Sequence, residues 1–172
     1  MIYRMKVFIT GAPGTGKTTI VKRLFSLRPD IFTGFWTEEM REGKRRVGFK
    51  IVRTDGKSGI LSHVDIKSSM KVGKYSVNLE EFERLVLPVL RKASKIILID
   101  EIGKMELFSK KFQDAVEKLV FYENVKMIAT IPLKDVHPLV RRIRKKFNPV
   151  ELTMTNREKV FEDIEKVVAR FL

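Results

Sequence analysis

A glycine-rich segment near the start of the sequence carries the clearest chemical signal. It reads Gly11-Ala12-Pro13-Gly14-Thr15-Gly16-Lys17-Thr18-Thr19 and fits the pattern G-x-x-x-x-G-K-[ST] at every position. Glycines let converging backbone N–H groups approach phosphate oxygens and adopt φ angles that other residues rarely take. Lys17 is predicted to reach the β- and γ-phosphates, and the Thr18 hydroxyl to bind Mg²⁺. The alternative, a structural glycine turn, fits the strand-to-helix setting less well.

Two adjacent carboxylates follow a second apolar segment. Asp100 and Glu101 come directly after Ile96–Ile99, a run typical of a parallel strand buried on both faces. The carboxyl end of such a strand lies at the edge of the sheet that also carries the phosphate loop, and we expect the two strands to be neighbours. Asp100 is predicted to hold Mg²⁺, and Glu101 to polarise a water molecule against the γ-phosphate. The structural alternatives are a solvated aspartate and an exposed glutamate at a helix start.

A basic segment, Arg141–Lys146, lies beyond Pro138. Arg141, Arg142 or Arg144 could close over the phosphates as an arginine finger, a group that accelerates phosphoryl transfer where it has been tested. The alternative is the solvated face of a basic helix. The sequence leaves both interpretations open.

Two other pairs of residues are weaker candidates for contact with the nucleotide base. Phe35 and Trp36 could stack on a base, or pack in the protein core. Asn156 and Arg157 open the last predicted helix, near the place where many phosphate-loop proteins hold the base. His63 and His137, the two histidines of the chain, are read as ordinary loop residues.

The elements that position these residues follow from local patterns. Strands are predicted at residues 5–10, 95–100, 125–131 and 150–152, separated by amphipathic helices. Between about residues 34 and 62 the apolar period becomes two, and Asp55-Gly56 is a hairpin signal. We therefore expect an antiparallel meander of about three strands inserted in a chain of α/β units. The whole chain, residues 1–172, is predicted to form one domain.

Helix boundaries are also visible in the sequence. Asn78-Leu79-Glu80-Glu81 resembles a capping box, and Pro88 should kink or loosen the helix that follows it. Another helix is expected after Ser109. Thr155 and Glu158 are predicted to form a capping box at the start of the last helix.

Composition and charge limit the classes of protein that this chain can belong to. The 172 residues contain no cysteine, which excludes disulfides, thiolate metal sites and cysteine nucleophiles. The formal net charge of +14 favours anionic partners. No run of apolar residues is long enough to span a membrane, and residues 1–4 do not resemble a signal peptide. We expect a cytoplasmic protein without a membrane partner.

Three segments together resemble a known family. They are the phosphate loop, the meander beginning at Gly34-Phe35-Trp36-Thr37-Glu38-Glu39, and the segment Asp100-Glu101-Ile102-Gly103-Lys104-Met105-Glu106. The sequence resembles the THEP1 family of nucleoside-triphosphatases over nearly its whole length, and the last segment is the most specific element. Trp36 departs from the tyrosine that we expect more often at that position, which affects nothing catalytic.

The resemblance implies a RecA-like phosphate-loop fold, in which helices flank a mostly parallel central sheet. It implies Mg²⁺-dependent hydrolysis of ATP, GTP, CTP and UTP to diphosphates, with loose base selectivity. Gly11 to Thr19 would cradle phosphate, Asp100 would handle the metal, Glu101 would be the base, and Lys104 would approach the γ-phosphate. The alternative for Lys104 is a surface lysine that serves solubility.

Two other functions stay open at this stage. The first is a small phosphate-loop kinase, although the sequence shows no acceptor pocket. The second is a nucleic-acid-associated ATPase, which the positive charge favours and the lack of aromatic residues interleaved with Arg141–Lys146 disfavours. Oligomeric state is not encoded in any visible motif, and we expect a monomer.

Overall fold

The computed structural model describes residues 5–91 and 94–172. The strands are β1 Lys6–Thr10, β2 Phe32–Glu42, β3 Arg45–Arg53, β4 Ser58–His63, β5 Lys71–Val72, β6 Tyr75–Val77, β7 Ile96–Ile99, β8 Met127–Thr130 and β9 Val150–Glu151. The α-helices are α1 Lys17–Leu27, α2 Leu79–Val86, α3 Lys110–Glu117, α4 Pro138–Phe147 and α5 Arg157–Arg170. Short 3-10 turns occupy Pro29–Ile31, Leu87–Arg91 and Glu106–Phe108, and a π-helical turn occupies Lys118–Tyr122.

The nine described strands form one sheet in the order β5-β6-β4-β3-β2-β7-β8-β1-β9. Strands β2, β7, β8, β1 and β9 pair in parallel, and β2 to β6 pair antiparallel. The predicted meander is therefore part of the central sheet, because β2 belongs to both halves. It is also longer than predicted, since β5 and β6 continue it beyond residue 62.

Helices cover the sheet on both faces, which explains why apolar and polar residues do not alternate along the central strands. Side chains of α1 and α5 pack with Trp36 in one core cluster, whereas α2, α3 and α4 pack with Phe35 in the other. Neighbouring residues of β2 thus point to opposite faces, as strand geometry requires. Burial on both faces leaves no solvated side of β7 or β8 for polar residues.

Local sequence signals are confirmed at most helix starts and wrong at one. The Asn78 side chain accepts the N–H of Glu81 at 3.2 Å, and Ser109 caps α3 in the same way. Helix α2 ends at Val86, and a 3-10 turn runs through Pro88, because proline cannot donate a backbone hydrogen bond. The capping box predicted for Thr155 and Glu158 does not form.

The place where the last helix starts explains why Thr155 and Glu158 do not form a capping box. Asn156 occupies the N-cap position of α5, and its side chain accepts the N–H of Thr153 instead of capping the helix. The carboxylate of Glu158 is turned to Arg23 on α1. The loop before α5 is therefore held by Asn156, and α5 is tied to α1 by an ion pair.

Residues 1–4, on which the signal-peptide expectation rests, lie outside the described residues. In the described part of the chain, no helix is long and apolar enough to cross a membrane. That residues 1–172 form one domain stays a prediction.

Candidate active site

The phosphate loop lies between β1 and α1. Gly14 and Gly16 have φ angles of 81° and 97°, a region that residues with a Cβ rarely adopt. The Thr15 hydroxyl donates to the carbonyl of Ala12 at 2.7 Å and closes the turn. Helix α1 begins at Lys17 without a side-chain cap, so no capping side chain occupies its first N–H groups, which are the groups that bind anions at helix starts. This arrangement can receive an anion.

The carboxylates lie at the same edge of the sheet, although their strand is not the neighbour of β1. Strand β8 lies between β1 and β7, so the expectation of adjacent strands is wrong. The order of parallel strands depends on long-range packing, which local patterns do not encode. The Asp100 carboxylate still reaches α1, because its Oδ2 accepts the Thr18 hydroxyl at 2.7 Å.

Asp100 is held from both sides and is almost completely buried, with 2% of its surface exposed. Its Oδ1 accepts the hydroxyl of Thr130, at the end of β8, at 2.6 Å. Burial raises the pKa of Asp100 to about 6, the two threonine hydrogen bonds oppose this rise, and nearby Glu101 adds to it. A buried carboxylate and a hydroxyl in direct contact are oxygen donors of the kind that a hard divalent cation prefers.

Glu101 and Lys17 form an ion pair across the site. The Lys17 Nζ lies 3.1 Å from Glu101 Oε2, and their side chains are 13% and 27% exposed. Four of the predicted site residues are therefore in direct contact as two pairs, Thr18 with Asp100 and Lys17 with Glu101. Lys104 lies on the turn after Glu101 and is exposed.

The three candidate finger arginines differ in their surroundings. Arg142 pairs with Glu117 of α3 and lies over the Phe121 ring, 4.5 Å from its centroid. Arg144 donates to Asp135 at 2.9 Å and to Thr10, at the end of β1, at 3.4 Å. Arg141 is exposed on α4. Arg142 and Arg144 thus have structural partners of their own.

The candidates for contact with the nucleotide base also differ in burial and position. Phe35 is completely buried, and Trp36 is buried with its indole N–H donated to Glu38 at 2.8 Å. Both therefore belong to the core. Arg157 lies against the phosphate loop, since a Cβ built on Gly16 would be 3.1 Å from its Cδ and 3.4 Å from its Nη1. Arg157 is the residue of this group that faces the loop.

Two residues of the site were not predicted from the sequence. Thr130 is the last residue of the apolar strand β8. A polar residue at the end of a buried strand is the sequence signal that could have identified it as a site residue. Glu106 is 5% exposed, and a Cβ on Gly103 would lie 2.7 Å from Glu101 Oε1 and 2.9 Å from Glu106 Oε1. Glu106 belongs to the segment that carries the family resemblance, but glutamates are rarely buried without a partner, so its burial beside Glu101 was not expected.

Comparison with known proteins agrees with this geometry. The profile of a family described as NTPase matches residues 6–165. The chain is 48% identical to nucleoside-triphosphatase THEP1 of Aquifex aeolicus, over 96% of this chain and 100% of that protein. It is 39% identical to the human cancer-related nucleoside-triphosphatase, over 92% and 93%. The crystal structure of the Aquifex aeolicus protein superposes with a TM-score of 0.86, covering 93% of this chain and 96% of that chain at 47% identity.

Proposed function

Because the chain belongs to the nucleoside-triphosphatase family that its sequence resembles, we propose that it hydrolyses nucleoside triphosphates to diphosphates and phosphate. The observation that carries the proposal is the 3.1 Å contact between Lys17 and Glu101. It puts a carboxylate beside the ammonium group that a phosphate loop directs to the terminal phosphate. A base and the phosphoryl group to be attacked would therefore lie within reach of one water molecule.

Binding rests on the loop residues Gly11 to Thr19. Their backbone N–H groups and the start of α1 would surround the β- and γ-phosphates, and Lys17 would neutralise part of the charge. To do so, the Lys17 ammonium exchanges its contact with Glu101 for contacts with phosphate oxygens. This exchange leaves the Glu101 carboxylate without its cation and available to accept a proton.

The metal of this proposal is Mg²⁺, held by Thr18 and Asp100. Both groups offer oxygen, and their 2.7 Å contact places the two donors side by side. When bound, the ion would neutralise charge on the β- and γ-phosphate oxygens. It would also favour the ionised form of Asp100, whose pKa burial raises to about 6.

The chemical step assigned to this chain's residues is the activation of water. Glu101 orients a water molecule and accepts its proton while the water oxygen bonds to the γ-phosphorus. The bond from the γ-phosphorus to the bridging oxygen breaks, and the nucleoside diphosphate leaves with that oxygen. Lys17 stabilises charge on the transferred group during the step.

Substrate selection follows from the contacts that surround the loop. The polyphosphate would make most of the contacts, and Arg157 beside Gly16 would meet the sugar or the base with a planar guanidinium. A planar cation stacks on any base. We therefore propose that ATP, GTP, CTP and UTP are all substrates. That the protein is a monomer stays a prediction.

The test is phosphate release from each triphosphate, with and without Mg²⁺, in the wild type and in Glu101→Gln. We expect the variant to bind nucleotide normally and to lose about 10²–10⁴-fold in kcat. Lys104→Ala, in the same assay, tests the predicted approach of Lys104 to the γ-phosphate. Unchanged turnover in Glu101→Gln would refute the mechanism, and release that depends on an added metabolite would indicate a kinase.

One observation favours a second candidate function, a nucleic-acid-associated ATPase. The π-helical turn brings Phe121 beside Arg142 and Lys146 of α4, and Tyr122 is 74% exposed. An aromatic residue is therefore next to the basic segment in space, and an exposed ring such as that of Tyr122 can stack on a base of single-stranded nucleic acid. Fluorescence anisotropy with oligouridine would show an affinity that falls about 10³–10⁵-fold between roughly 50 and 200 mM salt. No binding at 50 mM salt would exclude this function.

A further inference from the structure

Glu106 is a buried carboxyl group that the proposed reaction does not use. It stands at the start of the 3-10 turn Glu106–Phe108 and is 5% exposed. Burial raises its pKa well above the usual value, with Glu101 and Asp100 adding to the rise, while hydrogen bonds from backbone N–H groups of Glu106 and Gly103 oppose it. Burying a carboxyl group is costly unless its surroundings compensate for the lost solvation, so Glu106 stands out among the residues next to the site.

Glu106 lies beside Glu101, at the backbone of Gly103. Its Oε1 and the Oε1 of Glu101 both approach the Cα of Gly103 so closely that a methyl group there would collide with each of them. The two carboxyl groups therefore meet over the same residue. The backbone N–H of Gly103 also lies close enough to the Glu106 carboxyl group to lower its pKa, and Gly103 is two residues from Glu101 in the chain.

Glu101 needs such a support when nucleotide binds. In the structure its carboxylate is fixed by Lys17 at 3.1 Å, and the proposed mechanism moves Lys17 to the phosphates. A general base must keep its geometry within a fraction of an ångström, because a misplacement of 1 Å can cost about 100-fold in rate. Phosphate oxygens would compete with Glu101 for the three N–H donors of the Lys17 ammonium, so the restraint that Lys17 places on Glu101 would weaken when nucleotide binds.

We propose that Glu106 is a positioning residue that fixes the turn at Gly103 and thereby holds the Glu101 carboxylate in place for attack on the γ-phosphate. This inference rests on the proposed hydrolysis. Glu106 acts through hydrogen bonding and packing at the turn, and it neither touches the substrate nor transfers a proton.

The test compares three single variants by steady-state kinetics and by affinity for a non-hydrolysable triphosphate analogue. Glu106→Ala should lower kcat about 10- to 100-fold with KM and analogue affinity within about threefold of the wild type. Glu106→Gln keeps an acceptor oxygen for the Gly103 N–H and should retain kcat within about threefold. Glu83→Ala is the control, because it also removes a carboxylate, one that accepts the Ser109 hydroxyl at 2.5 Å at the start of α3, and it should leave kcat unchanged.

A double variant separates this inference from the proposed function. If Glu106 acts only through Glu101, adding Glu106→Ala to Glu101→Gln lowers kcat no further. Normal kcat in Glu106→Ala, an equal loss in Glu106→Gln, or an additive loss in the double variant would each overturn the inference. Should the alanine variant fail to fold, the glutamine variant decides, and a loss of tenfold or more in it overturns the inference. Unchanged kcat in Glu101→Gln alone would instead refute the hydrolytic mechanism.

Discussion

Replacing Asp100 by asparagine should stabilise the metal-free protein while abolishing its metal-dependent activity. The Asp100 carboxylate is buried, and its pKa rises from 3.8 to about 6. At 1.36 kcal/mol for each tenfold change in proton affinity, that rise corresponds to about 3 kcal/mol. Asparagine has nearly the same shape, can accept or donate toward the hydroxyls of Thr18 and Thr130, and carries no charge.

The stabilisation expected from Asp100→Asn should depend on pH. Because the pKa of Asp100 is higher in the folded protein than in the unfolded chain, the folded protein binds the proton more tightly. The contribution of this group to stability is therefore fully present below pH 3.8 and is lost as the pH rises through about 6. Asp100→Asn should match the wild type near pH 4 and exceed it by about 3 kcal/mol at pH 7.5.

The measurement is urea unfolding in EDTA at both pH values, with thermal unfolding as a second readout. For a chain of this size, about 3 kcal/mol corresponds to a rise in Tm of roughly 6–12 °C. Asp55→Asn serves as a control, since hydrogen bonding to Arg53 lowers the pKa of Asp55 and its substitution should not stabilise. A gain that is absent at pH 7.5, or equal at both pH values, would refute the account of Asp100 as a buried charge that its two threonine hydrogen bonds only partly compensate.

Further predictions concern the turn after Glu101 and the basic helix. Gly103→Ala should lower kcat about 10- to 100-fold without weakening nucleotide binding, because the new methyl group would displace the Glu101 carboxylate; unchanged kcat would contradict the close contact. Arg144→Ala should cost about 1–2 kcal/mol in urea unfolding through its lost hydrogen bonds and change turnover less than tenfold. A loss of about 10³-fold in turnover, with stability unchanged, would instead identify Arg144 as a finger.

Local structure was predictable where a short motif fixes it. The strand, loop and helix around Gly11–Thr18 follow from glycine conformation and helix periodicity, and Asn78 caps α2 as its neighbours predict. The comparisons confirm the family that these motifs indicated. The information lies within a few residues of chain in each of these cases, so the sequence alone is sufficient.

Features that depend on distant parts of the chain were not predictable. The position of β8 between β1 and β7 is set by how whole helices pack, and it brings Thr130 to Asp100. The burial of Glu106 depends on the fold of the turn above it. At the start of α5, Thr155 and Asn156 are both acceptable caps by type. The bond from Thr153 to Asn156 forms within the same loop, whereas the bond that turns Glu158 away comes from Arg23 on α1.

The long strand β2 restricts where this protein can be lengthened by engineering. Phe35 and Trp36 enter opposite core clusters, so inserting one residue upstream of them would exchange the two faces and expel both aromatic rings from their sites. The turn at Gly43, with a φ of 61° and both flanking strands exposed there, has no such restriction. A fluorescent label or short peptide tag grafted at this tip should leave the sheet intact.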